Sequence, residues 1–241
     1  DSGILVLAHT NHAVDEIENK LKKHCPQLFE YPNFVGTVQS FVNRFLANQA
    51  CFEKYGSYIR KNDDEIPSLK LVSLIKKLPY KNDLFSYFFN QIYSSYSNVS
   101  QKEIQESLAI PKEQAKILYL NLKNLKVLSA KGSLIYSSCK DENLNKISIE
   151  NSLKEFIKTK NRFALSKVNE EKFEKGLHYG LDFLNQKFIN DDGSFGFEKN
   201  SGKILLEQYE ILFQEGSLRY KDSFSFGIWY LERYPQIKSI L

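Results

Sequence analysis

Two short stretches of this 241-residue chain hold side chains that could do chemistry together: His9-Thr10-Asn11-His12 and Thr37-Val38-Gln39-Ser40. Each follows an apolar run, and each opens a segment with helical spacing. Thr10, Asn11, Thr37, Gln39 and Ser40 carry short neutral groups that can bond phosphate oxygens while the backbone approaches closely. The free N–H groups at a helix N-terminus attract the same anion. His9 adds a flat ring able to stack under a nucleobase. Few basic residues lie in either stretch, so the chemistry suits a single-stranded sugar–phosphate backbone better than a compact mononucleotide. The competing reading is punctuation, because polar residues after a strand are commonly caps and turns.

Other reactive groups are sparse. No Gly-Lys-Ser/Thr phosphate loop occurs anywhere, so no nucleotide site is visible. No Ser/His/Asp, Cys/His or paired-carboxylate arrangement stands out at short range. Asp63-Asp64-Glu65 could face a metal but reads as a solvated loop run. His178 reads as a core-edge histidine in an amphipathic helix, and Lys20, Lys22, Lys23 and His24 as a solvated helix end. No catalytic, cofactor-binding or metal-ligating residue is assigned.

The elements that must position the two stretches follow from hydrophobic periodicity. Ile4 to Ala8 is a continuous apolar run of strand length, as expected of a strand covered on both faces. Ala13, Val14, Ile17 and Leu21 then recur at helical spacing, with Asn11 as the expected N-cap and Pro26 as the stop. A second strand is expected over 34–38. It runs into a helix with Ser40 as N-cap and Phe41, Phe45 and Leu46 on one face. In open α/β sheets ligands bind beyond the carboxyl ends of strands, where both polar stretches would lie.

Beyond residue 65 the pattern is helical, near 68–78, 82–95, 101–108, 112–126, 148–160, 169–189, 203–215 and 222–233. Two exceptions, Val127–Ser138 and Asp191–Phe197, contain Lys131-Gly132 and Asp192-Gly193 and read as hairpins. The expected fold class is therefore mainly α with a small α/β portion. Composition divides the chain into an α/β segment over 1–50 and a mostly helical region over 51–241.

Composition bounds the rest. Hydrophobic residues make up 42% of the chain, and no apolar run is long enough to span a bilayer, so no membrane partner is expected. Cys25, Cys51 and Cys139 are odd in number and in no metal-ligand spacing, which suits a reducing cytoplasm. A net charge of +4, with acidic and basic residues interleaved, says little by itself about nucleic acid. The chain contains no methionine and starts at Asp1, which reads as a piece of a longer protein.

Leu7-Ala8-His9-Thr10-Asn11-His12-Ala13-Val14-Asp15-Glu16-Ile17 resembles motif Ia of superfamily 1 helicases, L-x-F-T-N-x-A-A-x-E-I. Gly36-Thr37-Val38-Gln39-Ser40-Phe41 resembles the motif that follows it, G-T-x-H-S-F. The segments Glu215–Asp222 and Tyr230–Pro235 are similar to a third family stretch that precedes the Walker B strand. Thr10–Asp15 also resembles the second branch of the superfamily, which includes RNA-acting enzymes. The Thr37–Phe41 and C-terminal segments favour the UvrD/Rep branch. The resemblance covers about the first 50 and the last 30 residues, and the stretch between would be the family's helical insertion. The resemblance of the C-terminal segments also implies that 216–241 returns toward the α/β core.

The resemblance implies part of a P-loop NTPase (RecA-like) domain plus a helical insertion subdomain, cut from an ATP-dependent DNA helicase between its Walker A and Walker B motifs. It places Thr10, Asn11, Thr37 and Ser40 on phosphate or sugar of single-stranded DNA, and His9 where the family has an aromatic residue that meets a base. Gln39 stands where the family usually has histidine. ATP and Mg²⁺ would serve the parent protein and bind this segment poorly, so the chain alone is expected to be inactive. A different reading takes Ser100–Leu108, Ile110-Pro111, Lys112–Leu128 and the Lys131-Gly132 hairpin as a winged-helix-like module. That would make residues 100–137 a non-enzymatic DNA-binding or interaction unit.

Overall fold

The apolar run near the start forms strand β1 (Leu5–Ala8) in the computed structural model, which describes residues 3–79, 82–191 and 193–239. Helix α1 (Asn11–Leu21) follows after a two-residue loop, and a short 3₁₀ turn spans Pro26–Phe29. Strand β2 (Phe34–Thr37) pairs with β1 in parallel, Leu5 opposite Phe34 and Ala8 opposite Thr37. With one pairing strand the sheet is narrow, and Leu5 and Leu7 remain 41% and 40% exposed. The expectation of a strand covered on both faces is thereby corrected.

Three helical pieces run on from β2: α2 (Val38–Phe41), a π turn (Val42–Ala47) and α3 (Asn48–Tyr55). The π turn explains a second correction. Wider turns rotate the residues beyond them off the α-helical face, so Leu46 is buried while Phe45 stays 41% exposed, edge-on to Phe34. Strand β3 (Lys61–Asn62) and helix α4 (Glu65–Lys76) complete this stretch.

Helix α5 (Asp83–Tyr96), α6 (Gln101–Leu108) and α7 (Lys112–Asn124) come next, then a 3₁₀ turn over Tyr136–Cys139, α8 (Asp141–Leu144) and α9 (Asn151–Glu171). Leu84, Phe88 and Ile92 on α5 recur every four residues and are buried, as are Leu153, Ile157, Ala164 and Val168 on α9. These two stripes face each other, and their burial drives the pairing. Ser100 caps α6 through a reciprocal box with Glu103.

The chain then runs through α10 (Lys175–His178), β4 (Gly180–Asp182), β5 (Lys187–Asn190), β6 (Gly193–Gly196), α11 (Asn200–Gln214), β7 (Ser217–Leu218), α12 (Tyr220–Arg233) and α13 (Pro235–Lys238). The helix expected over 169–189 is corrected here, since α9 ends at Glu171 and β4 and β5 form an antiparallel hairpin. Tyr179, Leu181 and Phe183 alternate inward and are buried. Asn185 N–H donates to Asp182 Oδ1 at 3.0 Å, an Asx turn that competes successfully with helix. His178 is exposed, not at a core edge. The expected 191–197 hairpin turns between β5 and β6; its Asp192 lies outside the described residues.

Contacts divide the chain at 78/79 and 175/176 rather than near residue 50, into one unit of 1–78 with 176–241 and another of 79–175. In the first unit, α12 packs on the π turn and α3, and α11 on α4. Gly227 permits the close approach of α12, because a Cβ there would meet Val42 Cγ1 at 3.0 Å. Its core gathers Ala47, Ala50, Leu71, Ile75, Leu205, Tyr209, Phe213 and Phe226. The molecule is mainly helical with small sheets. No helix among the described residues is long and apolar enough to cross a membrane.

Candidate nucleic-acid interface

Parallel register decides where the two polar stretches lie. Ala8 and Thr37 are partners at the carboxyl ends of β1 and β2, so His9-Thr10-Asn11 and Val38-Gln39-Ser40 leave the sheet side by side. Each stretch opens a helical run whose first N–H groups have no intrahelical acceptor.

The caps fall one or more residues earlier than the sequence pattern suggests. Thr10, not Asn11, is the N-cap of α1, its hydroxyl accepting from Ala13 N–H at 3.2 Å. Thr37, not Ser40, caps α2, accepting from Ser40 N–H at 3.0 Å. Both caps lie in extended backbone, as a cap requires, and this lets the strand conformation run one residue further. Ser40 Oγ donates back to the Thr37 carbonyl at 2.8 Å. Gln39 Nε2 donates to Asn43 Oδ1 at 2.9 Å, which orients the amide along the helix. His9, Thr10, Asn11 and Ser40 are exposed, and Thr37 and Gln39 half-buried.

Replacing Thr10 with alanine should therefore loosen α1 by about 1 kcal/mol, whereas Asn11→Ala, at the first helical position, should change little. Hydrogen exchange at the Ile17 and Leu21 amides reads the difference locally. Greater loss of protection with Asn11→Ala would return the capping role to Asn11.

Cations reach this edge from places the local pattern does not reveal. A cleft of about 480 Å³ beside Ser40 is lined by Phe34, Asn43, Arg44, Arg60, Lys61 and Asn62 among others. Arg44 lies four residues beyond Ser40 on the same helical run, a spacing that could have been read in the sequence. Arg60 and Lys61 arrive by tertiary pairing. Their N–H groups donate to the Gly216 carbonyl at 2.8 and 3.1 Å, and β3 pairs with β7 in parallel. Gly216 must be glycine, with φ +71° and a Cβ position 2.3 Å from the Tyr58 carbonyl oxygen.

The remaining reactive groups have structural work. Asp63 Oδ1 accepts from Ile66 N–H at 2.8 Å, and Asp64 Oδ1 from Tyr220 N–H at 3.0 Å. No group of three or more His, Cys, Asp or Glu placed to hold a metal occurs among the described residues. Burial pushes the Cys51 and Cys139 thiols up to about 11, which keeps both protonated and poorly nucleophilic. Lys20 and Lys22 pair with Glu16 and Glu18 along α1. What the arrangement can do is hold an extended anionic chain with neutral donors, helix ends and three flanking cations. Comparison with protein-family models, with curated proteins and with solved structures finds no match.

Proposed function

We propose that the edge at the carboxyl ends of β1 and β2 binds the backbone of single-stranded DNA, as part of an ATP-dependent DNA helicase of the UvrD/Rep branch. In this reading β1, α1 and β2 belong to a P-loop, RecA-like domain, and the unit of 79–175 is inserted into it. The observation that carries the proposal is the Ala8–Thr37 register, which sets the two helicase-like motifs side by side. Thr10 and Thr37 hold the helix starts open toward solvent, and their neighbours present N–H groups to phosphate. His9, exposed at the same end, offers a ring for base stacking. Arg44, Arg60 and Lys61 add charge beside Ser40.

The residues at this edge do not suit a nucleotide triphosphate. The β1 loop passes directly into α1, Thr10's hydroxyl is committed to Ala13, and neither α1 nor α2 has a lysine in its first turn. No step of ATP chemistry is assigned to these residues, and ATP and Mg²⁺ belong to the parent helicase. A cytoplasmic setting is part of the same reading, supported by the exposed free thiol of Cys25.

Anisotropy titration of a labelled oligo-dT tests the contact. With about three phosphates engaged, log affinity should fall against log salt with a slope of about −2. His9→Ala should weaken binding by about 1–3 kcal/mol if its ring stacks on a base, and Arg44→Ala should make the salt slope shallower by about 0.7. Folded variants that both bind as tightly as the parent chain would reduce the edge to helix punctuation.

A further inference from the structure

Within the unit of 79–175, α6 and α7 are joined by a tight turn in which Ala109 takes φ +51° and Ile110 N–H donates to the Gln105 carbonyl at 3.2 Å. After α7 the chain folds back as a hairpin. Ser129 and Ile135 N–H donate to the Ser133 and Val127 carbonyls, both at 2.8 Å. A third strand-like segment joins from the end of α5, as Val99 N–H donates to the Gly132 carbonyl at 2.9 Å and Leu134 N–H to that of Ser97 at 3.0 Å. Lys123 on α7 donates to the Ala130 carbonyl at 3.0 Å and ties the hairpin tip to the helix. The arrangement is helix, turn, second helix, then a braced wing.

Charge on this surface is one-sided. Between Pro111 and Lys140 there are six lysines, Glu113 and no other charged residue. Lys112, Lys116, Lys126 and Lys131 are exposed and make no ion pair among the described residues. Elsewhere in the unit lysines do find carboxylates, as in Lys102–Glu106 and Lys160–Glu103. The outward face of α7 presents Glu113, Lys116, Ile117, Leu120 and Asn124, with the half-buried ring of Tyr119 beside it under Lys123.

We propose that α7 and the hairpin after it form a docking surface for double-stranded DNA, separate from the single-strand edge. A major groove of about 12 Å admits an α-helix. Lysines without carboxylate partners match the flanking phosphates, while Ile117 and Leu120 can meet thymine methyls and Asn124 a base edge. A single strand is disfavoured because the ring on α7, Tyr119, is half-buried with Lys123 over its face and is not open for base stacking, and duplex RNA because its major groove is too deep and narrow for a helix. Lys131 at the hairpin tip reaches phosphate beyond the groove.

Titrating the full chain with a labelled mixed-sequence duplex of about twenty base pairs, at several salt concentrations, tests this. Lys116→Ala combined with Lys131→Ala should weaken duplex binding about tenfold at about 100 mM salt and make the slope shallower by about 2. Oligo-dT binding should be unchanged in that variant, and His9→Ala should give the reverse pattern. Circular dichroism checks that the variants are folded. A folded double variant with unchanged duplex affinity would overturn the proposal. So would self-association of the parent chain that disappears in Ile117→Ser with Leu120→Ser, since the face would then belong to a second copy.

Discussion

Arg219→Ala should destabilise the unit that carries the β1–β2 edge by about 3–5 kcal/mol, the cost of leaving one charge of a buried pair without its partner. Arg219 and Asp222 are each 1% exposed. Arg219 Nε and Nη2 donate to the two oxygens of Asp222 at 2.7 and 2.6 Å, a bidentate fork. Its remaining N–H groups donate to the Leu177 carbonyl at 2.8 Å and that of Tyr179 at 3.2 Å, and the guanidinium lies over Tyr209 at 4.7 Å. Burial works against the cation, but Asp222 more than offsets it and holds the guanidinium above its ordinary pKa. Arg219 therefore stays charged across the accessible pH range. One side chain thus ties the start of α12 to the chain entering β4. Urea unfolding measures the loss. Replacing both partners, as Arg219→Met with Asp222→Leu, should recover part of it, the remainder reflecting the lost guanidinium bonds to the Leu177 and Tyr179 carbonyls, which keep Lys221 Nζ and the Tyr209 hydroxyl as donors. A loss below about 1 kcal/mol for Arg219→Ala would mean that water reaches the pair.

Phe213→Ala should cost a similar amount, about 3–5 kcal/mol, from lost transfer energy plus an unfilled cavity. Phe213 is fully buried on α11, with its ring 5.0 Å from Phe226, 5.4 Å from Tyr55 and 5.9 Å from Tyr209. These rings come from α12, α3 and α11, so the cavity would open where three helices meet. Its carbonyl also accepts from Ser57 Oγ at 2.7 Å, which secures the chain leaving α3 toward Arg60 and Lys61. Phe213→Leu, which keeps most of the volume, should lose much less. Leu69→Ala, at an exposed position, should change stability by no more than about 0.5 kcal/mol. Equal losses for Phe213→Ala and Leu69→Ala in the same urea titration would contradict this core.

The sequence by itself determined the strands at the start, most of the helices and the position of the polar stretches after them. Those features depend on periodicity and on residues within one turn of each other. The Ile4–Ala8 run, the stripe of Leu84, Phe88 and Ile92, and the Ser100–Glu103 box are all local, and each forms as the pattern requires. The caps at Thr10 and Thr37 lie one and three residues before the expected Asn11 and Ser40, because several hydroxyls and amides in a row can each cap and only backbone dihedrals choose among them. The 169–189 segment departs from the helical expectation because an Asx turn at Asp182 breaks a pattern whose apolar content alone suits helix or strand. Tertiary structure alone decided the rest. The Ala8–Thr37 pairing, the delivery of Arg60 and Lys61 to Ser40's cleft, and the Arg219 links to the Leu177 and Tyr179 carbonyls join residues about 20 to 45 positions apart. The return of residues 176–215 to the first unit, ahead of the expected 216–241, spans far longer separations. Such contacts leave no periodic trace, because their energy comes from burying whichever surfaces the assembled elements bring together.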